Sequence, residues 1–171
     1  MTAAHGRWRL GLAVAVAVVV LDQLTKWLIL PLVIEPPHII RVTEFFNLVM
    51  VWNRGISFGL ASTGADAMRW ALVALAAVIT VALIVWLTRI TRPFLAVVVG
   101  LVIGGAVGNL IDRVRFGAVF DFLDFHAFGY HWYAFNVADA AISVGVALLV
   151  IDSLFGRPAD RTVLSQGANR D

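Results

Sequence analysis

Apolar residues run almost unbroken through four stretches of the chain: Leu10–Leu30, Trp70–Leu87, Phe94–Ile111 and roughly Tyr133–Phe155. Each is close to the roughly 20 residues that a helix needs to cross a bilayer. Polar interruptions are few and grouped. The first run is broken by Asp22-Gln23 and Thr25-Lys26 near its far end. Pro93 stands at the head of the third run, where a missing N–H costs a helix nothing. The third run holds Gly100, Gly104 and Gly108, which share one helix face. Such a stripe lets a neighbouring helix approach closely, a packing role rather than a chemical one.

Four spans place both termini on one side. Arg7 and Arg9, Arg89 and Arg92, and Arg157 and Arg161 lie in short segments on that side, which points to the cytoplasm. The outer segments are then Pro31–Arg69 and Asp112–Trp132. In the first, Ile39–Val42 and Phe45–Trp52 read as short strands, bounded by Pro36-Pro37 and by Asn53-Arg54-Gly55. Their aromatic content suggests that they lie on the membrane surface. Asp66–Trp70 reads as the start of the second helix, with Asp66 near its N-cap. Residues 1–155 thus form one membrane domain, with spans at about 10–30, 70–87, 94–111 and 133–155 and outer loops at 31–69 and 112–132. The polar stretch 156–171 is expected to be a disordered cytoplasmic tail.

Composition agrees. The chain is 61% hydrophobic and 14% charged, against about 45–50% and about 25% in soluble domains. The net charge of +2 is small and its basic residues are scattered, so nucleic acid is not an expected partner. Cysteine is absent, which excludes disulfides, thiolate nucleophiles and Cys-based metal sites. The first run has Asp22-Gln23 where a leader peptide would carry a small-residue cleavage site, so it reads as a retained helix.

The chemistry concentrates in Val119–Asp139, VFDFLDFHAFGYHWYAFNVAD. Ionisable groups at a membrane segment are costly and call for a functional explanation. At about 1.5 Å per residue, Asp22 lies roughly 18 Å along the first helix, Asn109 and Asp112 roughly 22–27 Å along the third, and Asn136 and Asp139 within about 10 Å of the start of the fourth. Three helices therefore bring polar groups to one depth near the outer interface. Asn109 with Asp112 or Arg113, and Asn136 with Asp139, share helix faces. Asp22 with Lys26 also fits a simple ion pair, and Asp112-Arg113 fits interfacial snorkelling. Asp139 is the hardest to explain structurally, because no basic residue lies within four positions. Asp124, His126 and His131 read as surface residues of a loop, and Trp132 and Tyr133 as interface anchors. Paired carboxylates suggest acid–base chemistry. Two rival readings remain: a transporter with a carboxylate relay, and a metal-dependent membrane hydrolase using Asp121, Asp124, His126 and His131.

The motifs resemble one family in order along nearly the whole chain. Asp22-Gln23-Leu24-Thr25-Lys26, Asn53-Arg54-Gly55-Ile56-Ser57-Phe58-Gly59, Gly104 to Arg113, Val119-Phe120-Asp121-Phe122 and Phe135-Asn136-Val137-Ala138-Asp139 are similar to those of lipoprotein signal peptidase, or signal peptidase II. Arg54 and Ile56 depart mildly from the family pattern. The resemblance implies a metal-free, cofactor-free aspartic endopeptidase of the bacterial inner membrane. It would cut prolipoproteins just before a diacylglyceryl-modified cysteine. It implies Asp121 and Asp139 as the catalytic dyad, with Asp22, Lys26, Asn53, Gly55, Asn109, Asp112, Arg113 and Asn136 as supporting or substrate-contacting residues. The implied fold is a membrane all-α core of four transmembrane helices, with a small extracytoplasmic β-sheet cradle and a short interfacial helix. Membrane lipid, a lipidated prolipoprotein and the inhibitor globomycin are the implied partners, and the protein is expected to act as a monomer with its site near the outer leaflet.

Overall fold

The computed structural model describes residues 6–34, 39–55 and 62–155. Four helices, α1 (Arg7–Val33), α2 (Ser62–Leu87), α3 (Pro93–Phe116) and α4 (Val137–Phe155), form the frame. All four are long and apolar enough to cross a membrane. Their outward faces carry exposed Val16, Val20 and Trp27 on α1, Val78 and Val81 on α2, and Leu154 on α4. A continuous apolar surface of this kind suits hydrocarbon rather than water. Within α3, 56% of the most apolar stretch is buried inside the protein, against 17% for α1 and 11% for α2 and α4. The third helix is therefore the centre around which the others pack.

The glycine stripe explains how. Gly100 lies directly on the Gly11 backbone, and a Cβ at Gly104 would stand 2.7 Å from the Ala15 carbonyl oxygen and from Val18 Cβ. At Gly108 it would stand 2.7 Å from Asp22 Oδ2. The first two glycines serve packing, as the pattern predicts. The third also makes room for a carboxylate.

The helix ends differ from the sequence boundaries. The first helix runs on to Val33 and the third to Phe116, and the second begins at Ser62. Asp66 is thus inside α2, not at its cap. Gly117 ends α3 in the left-handed conformation (φ 77°), its N–H donating to the Arg113 carbonyl. Arg69 on α2 reaches across to donate to the carbonyls of Arg113 and Val114, both at 2.8 Å, so orphan acceptors at the helix end are satisfied. The fourth helix starts later than expected, at Val137. Tyr133 and Ala134 belong to no helix or strand, and Phe135 bridges to Leu123.

Outside the bundle stands a four-stranded antiparallel sheet in the order β1-β2-β3-β4. β1 (Ile40–Thr43) and β2 (Phe46–Asn53) fall one residue from the expected strands. β3 (Val119–Ala127) and β4 (Tyr130–His131) correct the reading of 112–132 as a loop. Alternation in Val119–His126 places Asp121, Leu123 and Phe125 on one face and Phe120, Phe122 and Asp124 on the other. Phe120 and Phe122 bury themselves with Val33 of α1, seating the sheet on the end of the bundle where α1 finishes. No separate short interfacial helix occurs among the described residues.

Candidate active site

Asn136 is the residue where the site's elements meet. It is the N-cap of α4, and its side-chain Oδ1 accepts the Asp139 backbone N–H at 3.0 Å. Asp139 Oδ2 in turn accepts the Asn136 N–H at 3.3 Å. This reciprocal pair is a capping box, which satisfies two otherwise orphaned donors of the helix. The Asn136 amide Nδ2 then donates to Asp121 Oδ1 at 2.7 Å and lies within reach of Asn109 Oδ1 at 3.2 Å. Asn109 on α3 closes the ring by donating to Asp139 Oδ1 at 2.7 Å. Strand β3, helix α3 and the head of helix α4 thus bring Asp121, Asp139, Asn109 and Asn136 to one point. Asn136 is fully buried, Asp121 is 1% exposed and Asp139 is partly open to the surface.

Asp121 is the group whose chemistry the surroundings change most. Burial and the nearby Asp139 carboxylate push its carboxyl up to about 7, against the pull of hydrogen bonds from Asn53 and Asn136 and of the Lys26 charge. Such a group holds its proton far more readily than a free aspartic acid.

A second layer holds these parts in place. Lys26, buried on α1, bridges Asp22 Oδ2 at 2.9 Å and Asp112 Oδ2 at 2.8 Å. Each of those carboxylates also grips one backbone N–H. Asp112 accepts from Phe120 at 3.1 Å, and Asp22 accepts from Ala138 at 3.0 Å. Phe120 and Ala138 are the residues immediately before Asp121 and Asp139. One lysine thereby ties together the strand and the helix that carry the two central carboxylates. Gln23 completes this layer, donating to Asp22 at 3.1 Å and Asp112 at 3.0 Å. Its part was missed in the sequence, although it lies inside the first quoted motif. Its spacing to Lys26 would have placed it on the same face.

The remaining residues are placed less centrally. Asn53 ends β2 opposite Val119 and accepts the Gly55 N–H at 2.9 Å, in a turn where Gly55 has φ 88°. Ile56–Gly59, the rest of that motif, lies outside the described residues. Arg113 donates to the Asn109 carbonyl at 3.4 Å, and its buried Nε has no partner among the described residues. Asp124 corrects the surface reading. It is 6% exposed and accepts from Asn47 Nδ2 at 2.9 Å, with His131 Nδ1 2.9 Å away. Burial raises its carboxyl, but the hydrogen bonds from Asn47 and His131 and the nearby histidines outweigh this and hold it below the usual range. This cluster lies on the opposite face of β3 from Asp121. A groove of about 660 Å³, lined by Val49, Val51, Asp124, His131 and Trp132 among others, opens beside it.

Comparison with known proteins places this geometry. Residues 14–155 match the sequence model of a family described as Signal peptidase (SPase) II. A lipoprotein signal peptidase from Methylobacterium sp. (strain 4-46) is 47% identical over 147 residues, covering 85% of this chain and 89% of its own. One from Rhodopseudomonas palustris is 46% identical over 156 residues, covering 88% and 95%. Among solved structures, a bacterial membrane enzyme determined by the in meso method at 2.3 Å resolution superposes with a TM-score of 0.71 at 30% identity, over 88% of this chain and 93% of its own.

Proposed function

The chain belongs to the signal peptidase II family, and from that premise we propose that Asp121 and Asp139 are the dyad with which it cleaves prolipoproteins. It is a multi-pass bacterial membrane peptidase that removes signal peptides from prolipoproteins. The observation that carries the dyad assignment is the shared contact with Asn136, which bonds Asp121 through its side chain and Asp139 through its backbone. Asp121 brings the proton and Asp139 acts as base. Asp139 takes a proton from water as the water oxygen attacks the scissile carbonyl, while the Asp121 proton hydrogen-bonds to the developing oxyanion. Collapse of the tetrahedral intermediate breaks the C–N bond as Asp121 gives its proton to the leaving amine, and the proton that Asp139 took from water then returns to Asp121. Asn109 and Asn136 hold Asp139 in its working orientation. The site sits at the outer ends of α1 and α3 and the head of α4, so a substrate with its acyl chains in the outer leaflet presents its bond at this depth. The lipidated prolipoprotein is the substrate, the cut falls before its modified cysteine, and globomycin inhibits it. The protein works as a monomer in the inner membrane with both termini cytoplasmic.

The transporter reading is disfavoured because the site's polar groups stop in the outer half. The metal-hydrolase reading needs Asp121 and Asp124 together, whereas they occupy opposite faces of β3 and Asp124 is engaged by Asn47 and His131. The test is cleavage of a diacylglyceryl-modified prolipoprotein by purified protein in detergent, with and without EDTA. The expected outcome is a single cut before the lipidated cysteine, unchanged by chelator. Absence of cleavage, or cleavage only with added divalent metal, contradicts the reading.

A further inference from the structure

The connection between β3 and β4 is a two-residue turn, Phe128-Gly129, with φ values of 53° and 83°. Positive φ at both positions is what a tight hairpin turn requires, and Asn-Gly or Asp-Gly normally supplies it. A phenylalanine there is strained. It is also completely exposed, at 101% of its reference surface, and Tyr130, Trp132 and Tyr133 stand 84%, 74% and 93% exposed. Nothing among the described residues covers these rings. Between Asp124 and Asp139 the chain holds no Lys, Arg, Asp or Glu. A strained backbone kept for the sake of an uncovered aromatic ring signals a use for that ring.

The occupant follows from continuity with the membrane. Only Ala134, Phe135 and Asn136 separate Tyr133 from the first residue of α4. Extended chain covers at most roughly 13 Å in that distance, so the aromatic strand lies beside the bilayer interface. Tyrosine and tryptophan concentrate there because their rings are apolar at one end and polar at the other. We propose that the β3–β4 hairpin is a membrane-docking element, with Phe128 inserted among the outer-leaflet lipids and Tyr130, Trp132 and Tyr133 at headgroup level. The sheet that carries Asp121 is thereby held at a fixed height over the bilayer. The inference rests on the four helices being membrane spans and is independent of the dyad assignment.

The natural absence of cysteine gives a direct test. Single variants Phe128→Cys and Tyr130→Cys carry a nitroxide in vesicles of phosphatidylethanolamine and phosphatidylglycerol. Val78→Cys, on the exposed apolar face of α2, supplies the hydrocarbon reference, and Arg89→Cys, exposed between α2 and α3, the aqueous one. Collision with oxygen is compared with collision with a water-soluble nickel chelate. The ratio at 128 should shift toward that at 78, with 130 intermediate. Ratios matching position 89 at both sites would overturn the proposal. So would low accessibility to both reagents, which would mean that a second copy of the chain covers the hairpin. An aqueous reading at 78 would instead remove the span reading itself.

Discussion

Asp121 and Asp139 are the same residue type a few ångströms from the same asparagine, yet their settings differ. Asp139 belongs to a capping box at the head of a helix and is partly open. Asp121 is buried in a strand and is pushed up to about 7. In the unfolded chain an aspartate releases its proton near about 3.9. Between about pH 4 and 7 the folded state therefore holds a proton that the unfolded state has lost, and stability falls as pH rises through that window. Asp121→Asn removes the titration. Its melting temperature in detergent should gain on that of the wild type as pH is raised from 5 to 8. A difference that stays constant with pH would contradict the assignment. Cleavage by the wild type should likewise fall as pH rises above about 7, where the proton that Asp121 donates is lost. At this scale the sequence was informative: Asp139 stood out as a carboxylate in an apolar run without a basic neighbour. Asp124 misled, because its burial depends on Asn47, distant in sequence, arriving beside it on β2.

The elements are held in register by a polar layer rather than by the sheet or bundle alone. The α1 sequence Asp22-Gln23-x-x-Lys26 sets three polar side chains on one face, and the small Gly108 lets that face close on α3. Lys26 then bridges two buried carboxylates, and each of these holds the N–H preceding Asp121 or Asp139. Removing one member of such a buried network leaves uncompensated charge and costs about 3–5 kcal/mol. Lys26→Met should therefore lower the unfolding midpoint markedly. Under conditions where the variant remains folded, its kcat should drop with KM little changed, since the dyad and not the substrate contacts would be displaced. Wild-type kcat in the folded variant would show that the layer does not position the dyad. The ion pair of Asp22 and Lys26 was legible from spacing of four. Its extension to Asp112 and to the two backbone groups was not, because those are tertiary contacts between α1, α3, β3 and α4. Strand β3 was missed for a different reason. Its period-2 pattern is crowded by aromatic residues on both faces, so that no clean apolar and polar alternation is visible.

As a whole, the molecule is a central glycine-striped helix with three partners, and a small sheet seated on one end of the bundle through Phe120, Phe122 and Val33. The four spans and two of the four strands were legible, because hydropathy and β-rich composition are local properties. The ends of the helices were not, since they are set by capping at Asn136 and Gly117 and by the reach of Arg69. This architecture places one carboxylate on the sheet and one on the bundle, and joins them where the sheet meets the bundle. Catalysis should then depend on both equally. The decisive measurement is cleavage of a diacylglyceryl-modified prolipoprotein by Asp121→Asn and by Asp139→Asn, each first shown to melt cooperatively in detergent. Both folded variants should be inactive, with losses on the order of 10³-fold or more, as when members of a catalytic unit are removed singly. Near-wild-type cleavage by either folded variant would remove that residue from the dyad and contradict the proposed mechanism.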